Sequence, residues 1–433
     1  MREWDAARVA EAAGAQLLAG GAQTGGPARV VIDSRIAGPG DLFAGLPGEQ
    51  HDGGAFAAQA LAAGAWGVLA RPEHLGGGDT SGPGALLAAD DPLAALQRLA
   101  TAWRRELGAH VVGITGSTGK TSTKDLLAGM LAPHLQVVAT EQNLNTEIGL
   151  PLTILGAPAG TQALVLEMAM RGAGQIAELV AIAEPDVGVV VNVGPVHLEL
   201  LGSIEAIAAT KAELIRDLPA HGTAVVPAGE PLLAPHLRSD IRTVTFGPGG
   251  DVDALPDGLT LPFDSAHMRL NALAALAAAR AIGVEPAGAV RVALSRLRGE
   301  RIALADGVVV VNDCYNANPM SMRAALDDLA ETAQGRRVAV LGDMLELGPD
   351  ERRFHEELGE RARDAGVELL VTVGPLAAHA GPAYGGDVHA VATADDAAAL
   401  LPELLAPGDT VLVKGSRGVG LEVVALALEA REG

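Results

Sequence analysis

The run from Val111 to Thr123, VVGITGSTGKTST, joins an apolar stretch to Thr115-Gly116-Ser117-Thr118-Gly119-Lys120-Thr121 and then to a helical pattern over Ser122 to Leu131. A glycine-rich turn between a strand and a helix aims backbone N–H groups and a helix N-terminus at a phosphate. The residues Gly116, Ser117, Thr118, Gly119 and Ser122 are then the phosphate cradle. Lys120 reaches the β- and γ-phosphates of a nucleoside triphosphate, and the Thr121 hydroxyl ligates Mg²⁺. The usual spacing, G-x-x-x-x-G-K-[ST], asks for glycine where Ile114 stands. The loop is therefore the shorter T-G-x-x-G-K-T form.

Other polar residues close apolar runs where a parallel sheet binds ligands. Glu167 ends ALVLE and is a candidate Mg²⁺ ligand beside the triphosphate, with helix capping as the alternative. His197 falls in the loop after VGVVVNV, close to the edge that also carries Glu167 and Asn192; a lone histidine is otherwise a structural or solvated one. Lys211, on a helical stretch, reads by itself as a solvated surface charge. Asp313 ends VVVVND ahead of an Asn-rich turn, with a helix starting at Ser321 or Met322, and either binds ribose hydroxyls or caps that helix. Cys314 reads as packed rather than reactive. In VLVKGSRGVGLEVV the dinucleotide order G-x-G-x-x-G fails at Val423, so Lys414 and Arg417 are better taken as contacts for a carboxylate or phosphate, or as solvated loop charges.

These side chains need a scaffold. At 433 residues the chain exceeds one ordinary core, and about two to three domains are expected. Nearly half the residues are hydrophobic but only 2% are aromatic, the composition of Ala/Val/Leu helices packed on parallel sheets. The net charge of −22 argues against a nucleic-acid surface, and one cysteine fits a reducing compartment. No stretch has the length of a membrane span or the pattern of a signal peptide, so a soluble cytoplasmic protein is expected.

The chain divides into three α/β blocks, residues 1–84, 85–298 and 299–433, with the first seam in the turn-rich Glu73 to Gly84. Strands are predicted at Arg29–Ile32 and Trp66–Leu69 in the first block, with a helix near Ala55–Ala63. In the second block a helix over Pro92–Leu107 leads into the P-loop strand. There strands are predicted at Val111–Thr115, Gln136–Ala139, Ala163–Glu167, Val187–Asn192 and Thr223–Pro227, closed by helices over Asn271–Ile282 and Ala287–Leu297. The third block, Rossmann-like, has strands at Val308–Asn312, Arg337–Leu341, Leu369–Val373 and Thr410–Val413.

Taken in order, GITGSTGKTST, EQNLNTEIGLPLTIL, LEMAMRGAGQI and VVNVGPVHLELLGSIEAIAATKAEL resemble the Mur ligases, ATP-dependent amide ligases of peptidoglycan precursor synthesis. The resemblance covers essentially the whole chain. It implies a small N-terminal α/β UDP-binding domain, a central P-loop parallel-sheet ATPase-like domain and a C-terminal Rossmann-like domain. It makes Glu167 a magnesium ligand, His197 a metal-binding histidine and Lys211 a carbamylated lysine that bridges toward a second Mg²⁺. NDCYNANPMSMRAALDDL with LGDMLELGPDERRFH, and VLVKGSRGVGLE, point to the members that add D-alanyl-D-alanine; the D-N-P-R motif of the preceding ligase does not occur. Asp33-Ser34-Arg35 would face the uridine nucleotide. Where the family has G-x-H-N-x-x-N this chain reads SAHMRLN, which leaves Asn271 as the adenine contact.

The implied reaction is phosphorylation of the terminal carboxylate of UDP-N-acetylmuramoyl-tripeptide by ATP, then attack of the D-alanyl-D-alanine amine on the acyl phosphate. Lys120, Lys211, His197 and Glu167 are the catalytic candidates. Two Mg²⁺ would be held by Thr121, Glu167, His197 and carbamylated Lys211. Asn271, Arg301 and Asp313 join the P-loop as nucleotide contacts. Ser34, Arg35, Asn145, Thr146, Asn316, Lys414 and Arg417 are the substrate candidates, and the expected state is a monomer. A folylpolyglutamate synthase-like ligase shares the P-loop but lacks a UDP-sugar domain. A nucleotide switch or motor would hydrolyse ATP without ligation, and the guanine motif N-K-x-D of GTPase switches is missing.

Overall fold

Three sheets organise the chain. The computed structural model describes residues 1–20, 25–76, 84–263, 265–292, 295 and 297–430. The first sheet runs, in spatial order, Gln16–Gly20, Ala85–Ala88, Gly67–Ala70, Asp41–Ala44 and Arg29–Val31. Its first pair is antiparallel and the rest parallel. The sheet thus continues past the seam expected at Glu73 to Gly84, of which residues 77–83 lie outside the described residues. The helix expected near Ala55–Ala63 is a 3₁₀ turn, Gly53–Phe56, followed by the α-helix Ala57–Ala62.

The helix Pro92–Leu107 connects to the central sheet, and local chemistry sets its ends. Asp91 accepts the Ala94 N–H at 3.0 Å as N-cap, proline opens the first turn, and Gly108 closes it at φ 59°. The central sheet, wholly parallel, has the order Arg242–Phe246, Thr223–Pro227, Val187–Val190, His110–Thr115, Ala163–Glu167 and Val137–Ala139. Helices cover both faces, which is why Val111, Val112 and Ile114 are all fully buried. Each such side chain contributes about 1.5–3 kcal/mol by burial. The run Ala272 to Ala279 in the helix Ala266–Ala281 is also buried, and its small side chains let it pack closely on Lys120–Leu131.

The third sheet has the order Glu300–Ala303, Val309–Asn312, Thr410–Lys414, Arg337–Gly342, Leu369–Val373 and Val388–Val391, parallel after its first pair. Two expectations are corrected. The helix predicted over Ala287–Leu297 is not formed by its described residues: Gly288, at φ 78°, and Ala289 pair with Leu259–Thr260 instead. The helix after Asp313 starts at Pro319, because Asn318 and Ser321 make a reciprocal capping box. Among the described residues no helix is long and apolar enough to cross a membrane.

Candidate active site

The strand His110–Thr115 lies between Ala163–Glu167 and Val187–Val190, where the winding of the central sheet reverses. Loops after these three strands diverge and leave a crevice at their carboxyl ends. The P-loop occupies it. Gly119 holds φ 77° as the N-cap of the helix Lys120–Leu131, a backbone conformation that disfavours any side chain. A Cβ there would also lie 2.5 Å from Asn271 Oδ1, so the Asn271 amide is seated directly on the loop. On the other flank, Asn192 Oδ1 accepts the Ser117 and Thr118 N–H groups at 3.1 and 3.0 Å, and its Nδ2 donates to Thr118 O at 3.1 Å. Lys120 Nζ folds back onto Gly116 O at 2.8 Å. Burial lowers its pKa, the nearby Arg298 lowers it further, and Glu167 opposes the shift.

Glu167, 1% exposed, is fully engaged: Oε2 accepts from Thr121 Oγ1 and Oε1 from Asn145 Nδ2, both at 2.8 Å. His197 sits at φ 53° with Nδ1 against the Glu346 carboxylate of the third unit. Burial is the main cause that lowers its pKa; Glu346 opposes, while Lys120 and Lys211 add to the depression. Lys211 lies on the inner face of the helix Ile204–Arg216 and is 2% exposed, which overturns the solvated reading of a bare helix lysine. No carboxylate pairs with it among the described residues, and burial together with Lys120 pushes its pKa well below the ordinary lysine value.

These groups share a cavity of about 1310 Å³ with residues of the third unit. Residues 115–120 of the P-loop with Ser122, Glu167, His197 and Lys211 line it, as do Asn145, Thr146 and Asn271, while the buried Thr121 lies behind that wall. From the other side come Arg301, Asp313, Asn316, Lys414 and Arg417. Ser34 and Arg35 do not line it. The Ser34 hydroxyl turns to Gln59 Oε1 at 3.3 Å, and Arg35 forks onto Asp33, whose carboxyl is drawn down to about 2 by those hydrogen bonds.

The third-unit cations are engaged by groups of their own unit. Lys414 is 2% exposed and holds its own loop, with Nζ 2.6 Å from Asp313 Oδ2 and 3.0 Å from Asn316 O. Arg301 is tied to Asp328 Oδ2 at 2.8 Å and to Thr332 Oγ1 at 2.5 Å. Arg417 pairs with Glu422 at 3.4 Å. Arg298, which sequence reasoning missed, stacks 4.1 Å from the Tyr315 ring centre and is the arginine whose charge bears on Lys120. Its only signal was its place three residues before Arg301, and spacing cannot choose between two arginines. Asn318, also missed, reaches the P-loop at Ser117 O across 3.4 Å. Cys314 is packed as expected; burial, with Glu422 and Asp313, raises its thiol to about 12.

Two family models match the chain: the Mur ligase middle domain over residues 114–268, and the Mur ligase, glutamate ligase domain over residues 297–417. The UDP-N-acetylmuramoyl-tripeptide--D-alanyl-D-alanine ligase of Mycobacterium tuberculosis is 42% identical, over 93% of this chain and 92% of its own. The chain belongs to the Mur ligase family. Among solved Mur ligase structures, MurF from Acinetobacter baumannii superposes with a TM-score of 0.87 at 29% identity, covering 98% of this chain and 99% of that one. MurF ligase from Thermotoga maritima, in complex with ADP, gives 0.79 at 31% identity, over 93% and 98%.

Proposed function

We propose that this Mur ligase joins D-alanyl-D-alanine to UDP-N-acetylmuramoyl-tripeptide in an ATP-driven reaction. The γ-phosphoryl group passes to an oxygen of the tripeptide's terminal carboxylate, and ADP departs. The dipeptide amine then attacks the acyl carbon, loses its proton, and the C–O bond to phosphate breaks. The observation that carries this reading is the convergence of the P-loop, Glu167, His197 and Lys211 on one cavity that the third unit also lines. A hydrolase needs only a water beside its triphosphate. An amide ligase must keep water from an acyl phosphate while admitting an amine, which an enclosing second wall serves.

In this reading Lys120 offsets charge on the phosphoryl oxygens. Thr121 and Glu167 would hold one Mg²⁺; His197, Glu167 and carbamylated Lys211 would hold a second, and the cations when bound stabilise the charge of the transferring group. The hydroxyl, carboxylate and imidazole donors suit such an ion. Among the described residues no group of three or more His, Cys, Asp or Glu gathers here, so two cations call for a further anion. A carbamate on Lys211 supplies it. Its unpaired, desolvated amine favours the uncharged form, the form that adds carbon dioxide.

Asn271 and Asp313 are assigned to the nucleoside and Asn145, Thr146, Asn316 and Arg417 to the substrates. Lys414 then acts through the loop it holds. Arg298 takes the nucleotide-side role that the family resemblance implied for Arg301. Ser34 and Arg35 would hold the uridine end of a long substrate whose peptide end lies in the central cavity. A monomer and a cytoplasmic location, where ATP and the nucleotide-linked substrate are available, belong to the same reading. The deciding experiment is phosphate release with each substrate omitted in turn. Release should require both UDP-tripeptide and D-alanyl-D-alanine, and robust hydrolysis without either would sink the ligase reading.

A further inference from the structure

We propose that Glu346 is a positioning residue for His197, engaged only when the third unit is docked on the central one. The inference rests on the reading of His197 as a cation ligand. Its observations are separate from that reading. The two residues stand 149 positions apart and meet across the boundary between two sheets. The Glu346 carboxylate contacts His197 Nδ1, while the Glu346 carbonyl accepts the Glu199 N–H at 3.3 Å. Side chain and backbone of one residue thus grip both the imidazole and the turn that carries it.

Both residues occupy the left-handed region, His197 at φ 53° and Glu346 at φ 63°. Non-glycine residues persist there only where their surroundings over-determine them, commonly at functional sites. A neutral imidazole has one ring N–H. A carboxylate at Nδ1 accepts that proton and leaves the Nε2 lone pair as the donor, which is how carboxylates orient metal-ligating histidines. Arg171, 3.9 Å from Glu346 Oε1, balances the carboxylate charge. The loop behind Glu346 is itself fixed, since the Met344 N–H donates to the buried His355 Nε2 at 2.9 Å. Docking of the third unit therefore sets the tautomer and plane of His197, so the ligand is ordered only in the closed enzyme.

The test uses the full chain without added metal. Long-range ¹H–¹⁵N correlation reports the ring tautomer of each histidine, and His197 is assigned by its loss in His197→Gln. The wild type should show His197 protonated at Nδ1, and Glu346→Ala should shift it toward the Nε2–H form. In turnover, Glu346→Ala should lose about 10–100-fold in kcat with little change in the KM for ATP. Glu346→Asp should recover part of that loss, and Glu346→Gln, close in shape, controls for folding of the loop. An unchanged His197 tautomer in Glu346→Ala overturns the proposal even if the protein proves to be a working ligase. Phosphate release that needs neither substrate would instead remove the functional reading and leave the tautomer result standing.

Discussion

Thr121 Oγ1 donates to Glu167 Oε2 at 2.8 Å, joining the first turn of the P-loop helix to the end of the neighbouring strand. The bond sets the carboxylate where a cation between loop and strand would meet it. Glu167→Gln keeps the shape and removes the charge, so we expect kcat to fall by roughly 10²–10³ with a thermal midpoint near that of the wild type. Thr121→Ala should lower both, since a buried carboxylate left short of a donor costs about 1–3 kcal/mol. Full turnover in Glu167→Gln would take that residue out of the reaction.

Lys211 is expected to carry a carbamate. Lys211→Ala should abolish turnover, and added short carboxylic acids should restore part of it by occupying the vacated space with an anion. Enzyme equilibrated with ¹³C-bicarbonate should give a carbamate carbon resonance that disappears in Lys211→Ala. Retained activity in Lys211→Ala would rule the role out.

Arg298 and Arg301 should separate by kinetics. Arg298 bears electrostatically on Lys120, whereas Arg301 is held by Asp328 and Thr332. Arg298→Ala should cost about 10²-fold or more in kcat/KM, and Arg301→Ala less than about tenfold. The opposite ranking would restore Arg301 as the nucleotide contact that the family resemblance implies.

Gly194 of the central unit lies against Met320 of the third: a side chain there would collide with the Met320 sulfur. Gly194→Val should hold the two units apart, raising the radius of gyration by X-ray scattering and lowering kcat. Adding Met320→Ala should relieve the collision and recover much of the loss. Without that recovery, the closeness of Gly194 and Met320 has no bearing on turnover.

His355 should make stability depend on pH. Its Nε2 accepts the Met344 N–H and its Nδ1 donates to Glu351 O at 2.6 Å, an arrangement only the neutral ring can make. Burial lowers its pKa below the ordinary histidine value of 6.5, with the Glu351 carbonyl and Asp343 opposing and His379 adding slightly to the shift. The unfolded chain therefore takes up the proton first as pH falls. The stabilisation is complete above about 6.5 and is lost as pH falls toward and through the depressed value. Between pH 7.5 and 5 the melting temperature should drop, and the slope should be shallower in His355→Gln. It will not vanish, because His197 and His267 are also depressed by burial.

What the sequence determined alone is local. A strand, a tight glycine turn and a capped helix impose φ, spacing and hydrogen-bond demands within a dozen residues, so the P-loop from Gly116 to Thr121 and most central strands were legible. So was Glu167, because a strand end marks the ligand edge of a parallel sheet. The short edge strand Gln16–Gly20 was missed for the converse reason: its half-exposed pattern carries little hydrophobic signal. The helix predicted over Ala287–Leu297 failed where Gly288 takes a left-handed turn. Tertiary structure decided the rest. Residue type does not say which face of a helix is buried, and only packing turned Lys211 from a surface charge into a desolvated amine. Nor does it say which cation meets which carboxylate. Lys414 is consumed by Asp313 and Arg301 by Asp328, while Arg298 and Glu346, not among the candidate site residues, reach the site because two sheets meet there.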